Sequence, residues 1–173
     1  MTPLADLLRR FTSGWRAGLP LTACGSGSLP ENTANARAAL VRWCASYELN
    51  VVNDAGAGDL CWLHGTRLGV DYRAYDLVPR HPTVTALDVS TELMRPCDLI
   101  VCRWVLNHLD PERVDNALAL FRRSGRYLAA TQFDGGRRGL GHLDLRPQLG
   151  AYLDAVPDAG VPNCTLALWN IAA

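Results

Sequence analysis

Lysine is absent from the 173 residues; all seventeen basic side chains are arginine. Every mechanism that needs a lysine amine is thereby excluded, including Schiff-base formation and the phosphate-binding lysine of a Walker loop. Charge of one sign is not in excess, because the acids number seventeen as well. No global field therefore points to nucleic acid or to an anionic membrane surface. The six cysteines, Cys24, Cys44, Cys61, Cys97, Cys102 and Cys164, contain no C-x-x-C pair. Several sit in apolar runs such as "DLIVCRW", where a reduced thiol packs as a small hydrophobe. They read as thiols of a reducing compartment, with neither disulfides nor zinc. No apolar run approaches the roughly 20 residues of a membrane span. The opening "MTPLADLLRRF" has Leu4, Leu7, Leu8 and Phe11 at helical spacing around an internal acid, so it does not read as a secretory signal. The expectation is a cytoplasmic protein with no membrane partner and no metal site.

About half of the chain is apolar (49%) and a fifth is charged (20%), which with this length suits one domain with a filled core. After the first helix, "GLPLTACGSGSLPEN" reads as a loop. "ENTANARAALVRWCASY" reads as a helix with Ala38, Leu40, Val41 and Cys44 on its buried side. The pattern then changes to short apolar runs: "LNVVNDA", "GVDYRAYDL", "TVTALDV", "CDLIVCRW", "RYLAATQF" and a closing "CTLALWNIA". Between the fourth and fifth lies "PERVDNALALFRRSG", a helix with Pro at its start and Gly at its end. Residues 134–163, with six glycines and three prolines, read as an irregular excursion. Short apolar strands alternating with helices imply a mostly parallel sheet covered on both faces. Ligands of such sheets bind at the carboxyl ends of the strands. That rule directs attention to Asp54 to Asp59, Asp76, Asp88, Cys102 to Trp104 and Thr131 to Phe133.

The stretch "VVNDAGAGDLCW" places a glycine turn, Gly56 and Gly58, directly after the first strand. A dinucleotide fingerprint needs a third glycine, where this chain has Cys61. Asp54, ahead of the glycines, would repel a pyrophosphate and suits a ligand with a cationic group there. Asp76, at the end of the second strand, stands where a carboxylate can accept both ribose hydroxyls. Asp88, ending the third, could accept from the exocyclic amine of adenine. An adenosine that carries an amino acid in place of a pyrophosphate satisfies all three acids, and S-adenosylmethionine is such a ligand.

With "NDAGAGDLCW", "YRAYDLVP", "ALDV", "CDLIVCRWVLNHL" and "SGRYLAATQF" in this order, the chain resembles the class I S-adenosylmethionine-dependent methyltransferases over roughly residues 31–133. The closing "LALWNI" resembles the end of small methyltransferase-like proteins of bacteria and phages. The resemblance implies a Rossmann-like α/β fold. Its mostly parallel seven-stranded sheet would carry helices on both faces, with the last strand antiparallel. It implies one domain over 1–173, with 1–48 as lid, 49–133 as cofactor core, and 134–173 as an irregular segment and final strand. Cofactor contacts are implied for Asp54, Ala55, Gly56, Gly58, Asp76, Leu77, Asp88, Val89, Cys102 and Arg103.

Beyond the cofactor, "CRWVLNHL" supplies the acceptor candidates. Arg103 could hold an anion bidentately, and Trp104 could stack on a planar substrate or pack in the core. Asn107 lies on the way to the acceptor. His108 could serve as a base near neutrality or as a packing residue. The early loop, with Ser26, Thr33 and Arg37, either borders the pocket or is a flexible linker. Arg122, Arg123, Arg126, Arg137 and Arg138 form either a patch for a phosphate-bearing acceptor or a solvated surface. No Asp/Asn-Pro-Pro-aromatic tetrad follows the fourth strand, and Pro96-Cys97 precedes it, so two DNA-methylating chemistries lack their residues. The expected function is methyl transfer to a small-molecule or nucleotide-like acceptor. The alternatives are a nucleic-acid methyltransferase, an inactive cofactor-binding partner subunit and a nicotinamide-dependent oxidoreductase.

Overall fold

The computed structural model describes residue 22 and residues 24–133, 143–159 and 161–172. Each apolar run becomes a strand: β1 (Val51–Ala55), β2 (Asp71–Asp76), β3 (Val84–Ala86), β4 (Cys97–Cys102), β5 (Gly125–Phe133) and β7 (Cys164–Asn170). A further strand, β6 (Asp154–Pro157), completes a seven-stranded sheet of order β3-β2-β1-β4-β5-β7-β6. The first five strands run parallel. The last, β7, is antiparallel between β5 and β6. The chain steps outward from β1 to β3 and returns to β4 beside β1, so the switch point lies between β1 and β4.

Alternation along the central strands builds two cores. On one face Leu99, Val101, Ala129, Leu166 and Leu168 pack under α1 (Ala34–Ser46). On the other, Ile100, Leu128, Ala130 and Trp169 pack under α2 (Pro111–Ser124). Helix α2 starts as its sequence requires. The Asp110 carboxylate accepts from Arg113 N at 3.0 Å, Pro111 opens the first turn and Arg122 and Arg123 lie in the last.

Three features depart from the sequence reading. The buried stripe of α1 is Ala36, Ala39, Leu40, Trp43 and Cys44, whereas Ala38 and Val41 face solvent. The Trp43 indole sets this rotation, because its Nε1 donates to Asp154 of β6 at 2.8 Å. Next, β6 and the single turn α3 (Arg146–Leu149) lie inside the segment expected to be irregular. Four residues ending in Pro157 give no periodicity, and β6 exists because the edge of β7 offers it hydrogen bonds. Finally, the described crossovers from β1 to β4 contain no α-helix, only the 3-10 turn Cys61–Leu63 as a helical element. The expected first helix, with Leu4, Leu7, Leu8 and Phe11, lies outside the described residues. No helix among the described residues is long and apolar enough to cross a membrane.

Candidate active site

The glycine turn after β1 is fixed by backbone geometry. Gly56 and Gly58 have φ of 99° and 60°, the left-handed region in which a Cβ is strained. A Cβ on Gly56 would lie 2.1 Å from Val105 Cγ2, and one on Gly58 would lie 2.4 Å from Cys24 Sγ. The turn is tied to the end of β2 by Gly56 N and Ala57 N, which donate to Tyr75 O at 2.8 and 3.0 Å. Gly58 N donates to Asp76 Oδ2 at 2.9 Å, and Val78 N to Asp76 Oδ1 at 2.8 Å. Each carboxylate oxygen thus accepts one backbone N–H and retains a lone pair. Burial pushes the Asp76 carboxyl above its ordinary range, against those two backbone donors.

Two cavities meet at this turn and share Gly56, Asp76, Val78 and Val105. The smaller, of about 50 Å³, is bounded by Leu77, Leu87, Asp88, Val89 and Leu109. The larger, of about 240 Å³, passes Gly58 and reaches Ser26, Arg103, Trp104, His108 and Val161. Gly56, Gly58, Asp76, Leu77, Asp88, Val89, Arg103, Trp104, His108 and Ser26 therefore come together on one connected surface.

Five of the expected site residues do not. Asp54 lies below the turn, fully buried, where its Oδ2 accepts from Trp62 Nε1 at 2.9 Å and from Tyr72 OH at 2.5 Å. Burial pushes its carboxyl up to about 6, against the Tyr72 and Trp62 hydrogen bonds. Its other oxygen, Oδ1, is buried with no hydrogen-bond partner among the described residues. Ala55 and Cys102 are fully buried as well, because both point into the core under α2. Asn107 is buried beside His108, with its Nδ2 3.4 Å from His108 Nε2. Arg37 is turned away: its guanidinium donates to Pro30 O at 2.8 Å and to the Thr33 hydroxyl. Thr33 is itself buried and donates to Trp62 O at 3.1 Å.

At the end of β4 the chain makes a turn that sequence reasoning missed. Arg103 is buried and its Nε donates to Asp158 Oδ1 at 2.9 Å; its Nη2 donates to Gly27 O. The guanidinium also lies 5.6 Å from the Trp62 ring centroid. Asp158, just past β6, accepts from Trp104 Nε1 at 3.1 Å through its other oxygen. Burial raises the Asp158 carboxyl, and the neighbouring Arg103 charge opposes that shift. Trp104 has φ 57°, a conformation that costs a bulky residue roughly 1–3 kcal/mol and persists only where its surroundings impose it. Here Trp104 N donates to Thr131 Oγ1 at 2.8 Å, and its ring meets Phe133 edge-on at 5.5 Å. Asp88 is also partnered: Oδ1 accepts from Ser90 N and Oγ at 2.9 and 2.6 Å, and Oδ2 lies 3.3 Å from Arg113. Burial lowers the His108 imidazole below its ordinary value. The exposed Arg122, Arg123 and Arg126 sit where α2 ends and β5 begins, at the opposite end of the strands from the cavities. Arg137 and Arg138 lie outside the described residues. Cys97 opens β4 at that same far end, and burial pushes its thiol up to about 12.

No family model and no curated protein matches the sequence. Solved structures do match. The 1,6-didemethyltoxoflavin-N1-methyltransferase of Burkholderia thailandensis, solved with 1,6-didemethyltoxoflavin and S-adenosylhomocysteine bound, superposes with a TM-score of 0.62 at 18% identity, over 98% of this chain and 87% of that one. The magnesium protoporphyrin IX methyltransferase of Synechocystis PCC 6803, with S-adenosylmethionine bound, gives 0.60 at 13% identity, over 97% and 90%. A mitomycin 7-O-methyltransferase gives 0.54 at 11% identity, over 78% and 54%. The strand order, the antiparallel β7 and these superpositions agree: the chain has the fold of the class I S-adenosylmethionine-dependent methyltransferases.

Proposed function

We propose that the chain transfers a methyl group from S-adenosylmethionine to a small-molecule acceptor. The observation that carries this reading is Asp76, a carboxylate at the junction of the two cavities whose oxygens each keep an acceptor site beyond their backbone donors. A ribose has two adjacent hydroxyls to donate there. Adenine then falls in the small pocket between Leu77 and Val89, and the amino-acid end passes Gly56 and Gly58 into the larger cavity. The glycines fit that passage because no side chain stands in it. A pyrophosphate fits poorly. It is usually met by the N-terminus of a helix after the glycine turn, and only the three-residue turn Cys61–Leu63 follows here.

When bound, S-adenosylmethionine supplies an electrophilic methyl on a sulfonium. The chain's own task is to hold an acceptor in line with it, and such positioning can account for much of the rate. Trp104 and Val161 bound the far part of the cavity, and His108 faces it. The lowered imidazole keeps His108 neutral near pH 7, so its ring nitrogen can take the acceptor's proton. Asp54 acts from below, bracing the turn through Trp62 and Tyr72. An acceptor of low molecular weight suits a cavity of about 240 Å³; Arg122, Arg123 and Arg126 lie at the far strand ends, and Arg80 and Arg103 are the arginines that line the cavity among the described residues. Titration calorimetry with S-adenosylmethionine, S-adenosylhomocysteine and NAD tests the reading. Saturable binding of the first two is expected, and binding of NAD alone would end it.

A further inference from the structure

The Arg103–Asp158–Trp104 turn lines the larger cavity away from the small pocket between Leu77 and Val89. Three segments far apart in sequence converge on it: Gly27 through its carbonyl, the end of β4, and the turn after β6. The polar groups of the three side chains are turned towards one another. Asp158 is 1% exposed and accepts from both Arg103 and Trp104. Arg103 is 6% exposed, with its charge matched by Asp158 and its face near Trp62. Trp104 is the partner left half-open to the cavity. Its ring is locked in a left-handed backbone by Thr131, by Asp158 and by the edge of Phe133. Ala159 and Val161 add apolar wall beside it.

We infer that Asp158 is a positioning residue that neutralises Arg103 and fixes Trp104 as a platform, so that the acceptor is an uncharged planar aromatic molecule. This refines the methyltransferase reading and rests on it for the identity of the bound molecule as acceptor. It also replaces the expectation that Arg103 clamps an anion, because the guanidinium already has a buried counter-charge. An aromatic face on a fixed indole gains both apolar contact and ring–ring attraction. A carboxylate brought to the same place would have to give up water beside an ion pair that is already complete.

The probes are 2-naphthol, the anionic 2-naphthoate and the non-planar decahydro-2-naphthol, titrated into the chain saturated with S-adenosylhomocysteine. Expected is 2-naphthol binding at least about tenfold more tightly than either of the others. Trp104→Leu should erase its advantage over decahydro-2-naphthol. Asp158→Asn should cut its advantage over 2-naphthoate by about fivefold or more, since Arg103 loses its counter-charge. Asp158→Glu should restore that advantage, which a merely structural role for Asp158 would not do. Equal binding of 2-naphthoate to the wild-type chain would overturn the inference. So would undetectable 2-naphthol binding, or an Asp158→Asn chain with normal S-adenosylhomocysteine affinity and an unchanged ratio. If Asp158→Asn fails to fold, the wild-type ratios and Trp104→Leu decide. The S-adenosylhomocysteine titration is read separately. Its failure, with naphthol discrimination intact in the free chain, would sink the methyltransferase reading and leave the aromatic platform standing.

Discussion

The two halves of the cavity are built in different ways. Where β1 and β2 end, the wall is mostly backbone: Gly56 and Ala57 on the Tyr75 carbonyl, and Gly58 on Asp76, a pair separated by 18 residues. Where β4 and β5 end, the wall is side chains, and its ties span 55 residues from Arg103 to Asp158 and 76 from Arg103 to Gly27. The first half is held by backbone hydrogen bonds and by the Asp76 carboxylate that two of them reach. The second depends on one buried ion pair and one strained tryptophan. A backbone-built surface suits a ligand that does not change, and a surface of side chains suits one that differs between proteins of the same fold.

Asp76→Ala separates the halves most sharply. It should weaken S-adenosylhomocysteine binding by at least about thirtyfold, the loss of two hydrogen bonds to a charged group, while leaving the discrimination among naphthols unchanged. Calorimetry reads both. A smaller loss, or a change in the naphthol ratio, would mean that the halves are not separate.

The brace under the first half titrates. Asp54 has a folded-state value raised to about 6 from the 3.8 of a free carboxyl. The native state therefore binds the proton more tightly than the unfolded chain does. Its stabilising contribution is full below about pH 4 and is lost as pH rises through about 6. Over that window Asp54→Asn should flatten the pH dependence of stability by on the order of 2 kcal/mol relative to wild type. Urea melts of both chains at pH 4.5 and pH 7 check this, and parallel curves would contradict it.

The strain in the second half should be visible by itself. Trp104→Gly and Trp104→Ala both delete the ring, but only glycine tolerates φ 57°. The glycine variant should be the more stable of the two by about 1 kcal/mol, measured as the difference in their urea midpoints. The smallest effect belongs to Arg37, whose guanidinium is engaged with Pro30 O and Thr33 instead of the cavity. Arg37→Ala should leave S-adenosylhomocysteine affinity within about twofold, as expected for a residue without ligand contact.

The same contrast explains what could be read from the chain. Gly56, Gly58, Asp76 and Asp88 stand at fixed offsets from apolar runs, so their place at the strand ends was legible from spacing alone. The strands with strong runs were legible for the same reason. Asp158 was not, because its importance comes from Arg103 and Trp104, more than fifty residues away, and nothing in "AVPDAGVPN" announces a partner. β6 was hidden likewise, since its pairing is supplied by β7. Asp54 was found, but its indole and phenol partners were not. Its sequence position fits a ligand contact, whereas Trp62 and Tyr72, 8 and 18 residues further on, draw the carboxylate into the core. Trp62 and Tyr72 are themselves apolar-looking, and only the buried acid between them would have suggested the network.

The most direct test is a crystal structure of the chain with S-adenosylhomocysteine bound. The ribose hydroxyls are expected on the Asp76 carboxylate, with adenine between Leu77 and Val89 and the amino-acid tail past Gly56 and Gly58 towards Trp104. A nucleoside bound anywhere else, or an Asp76 carboxylate that does not touch it, would contradict the proposal.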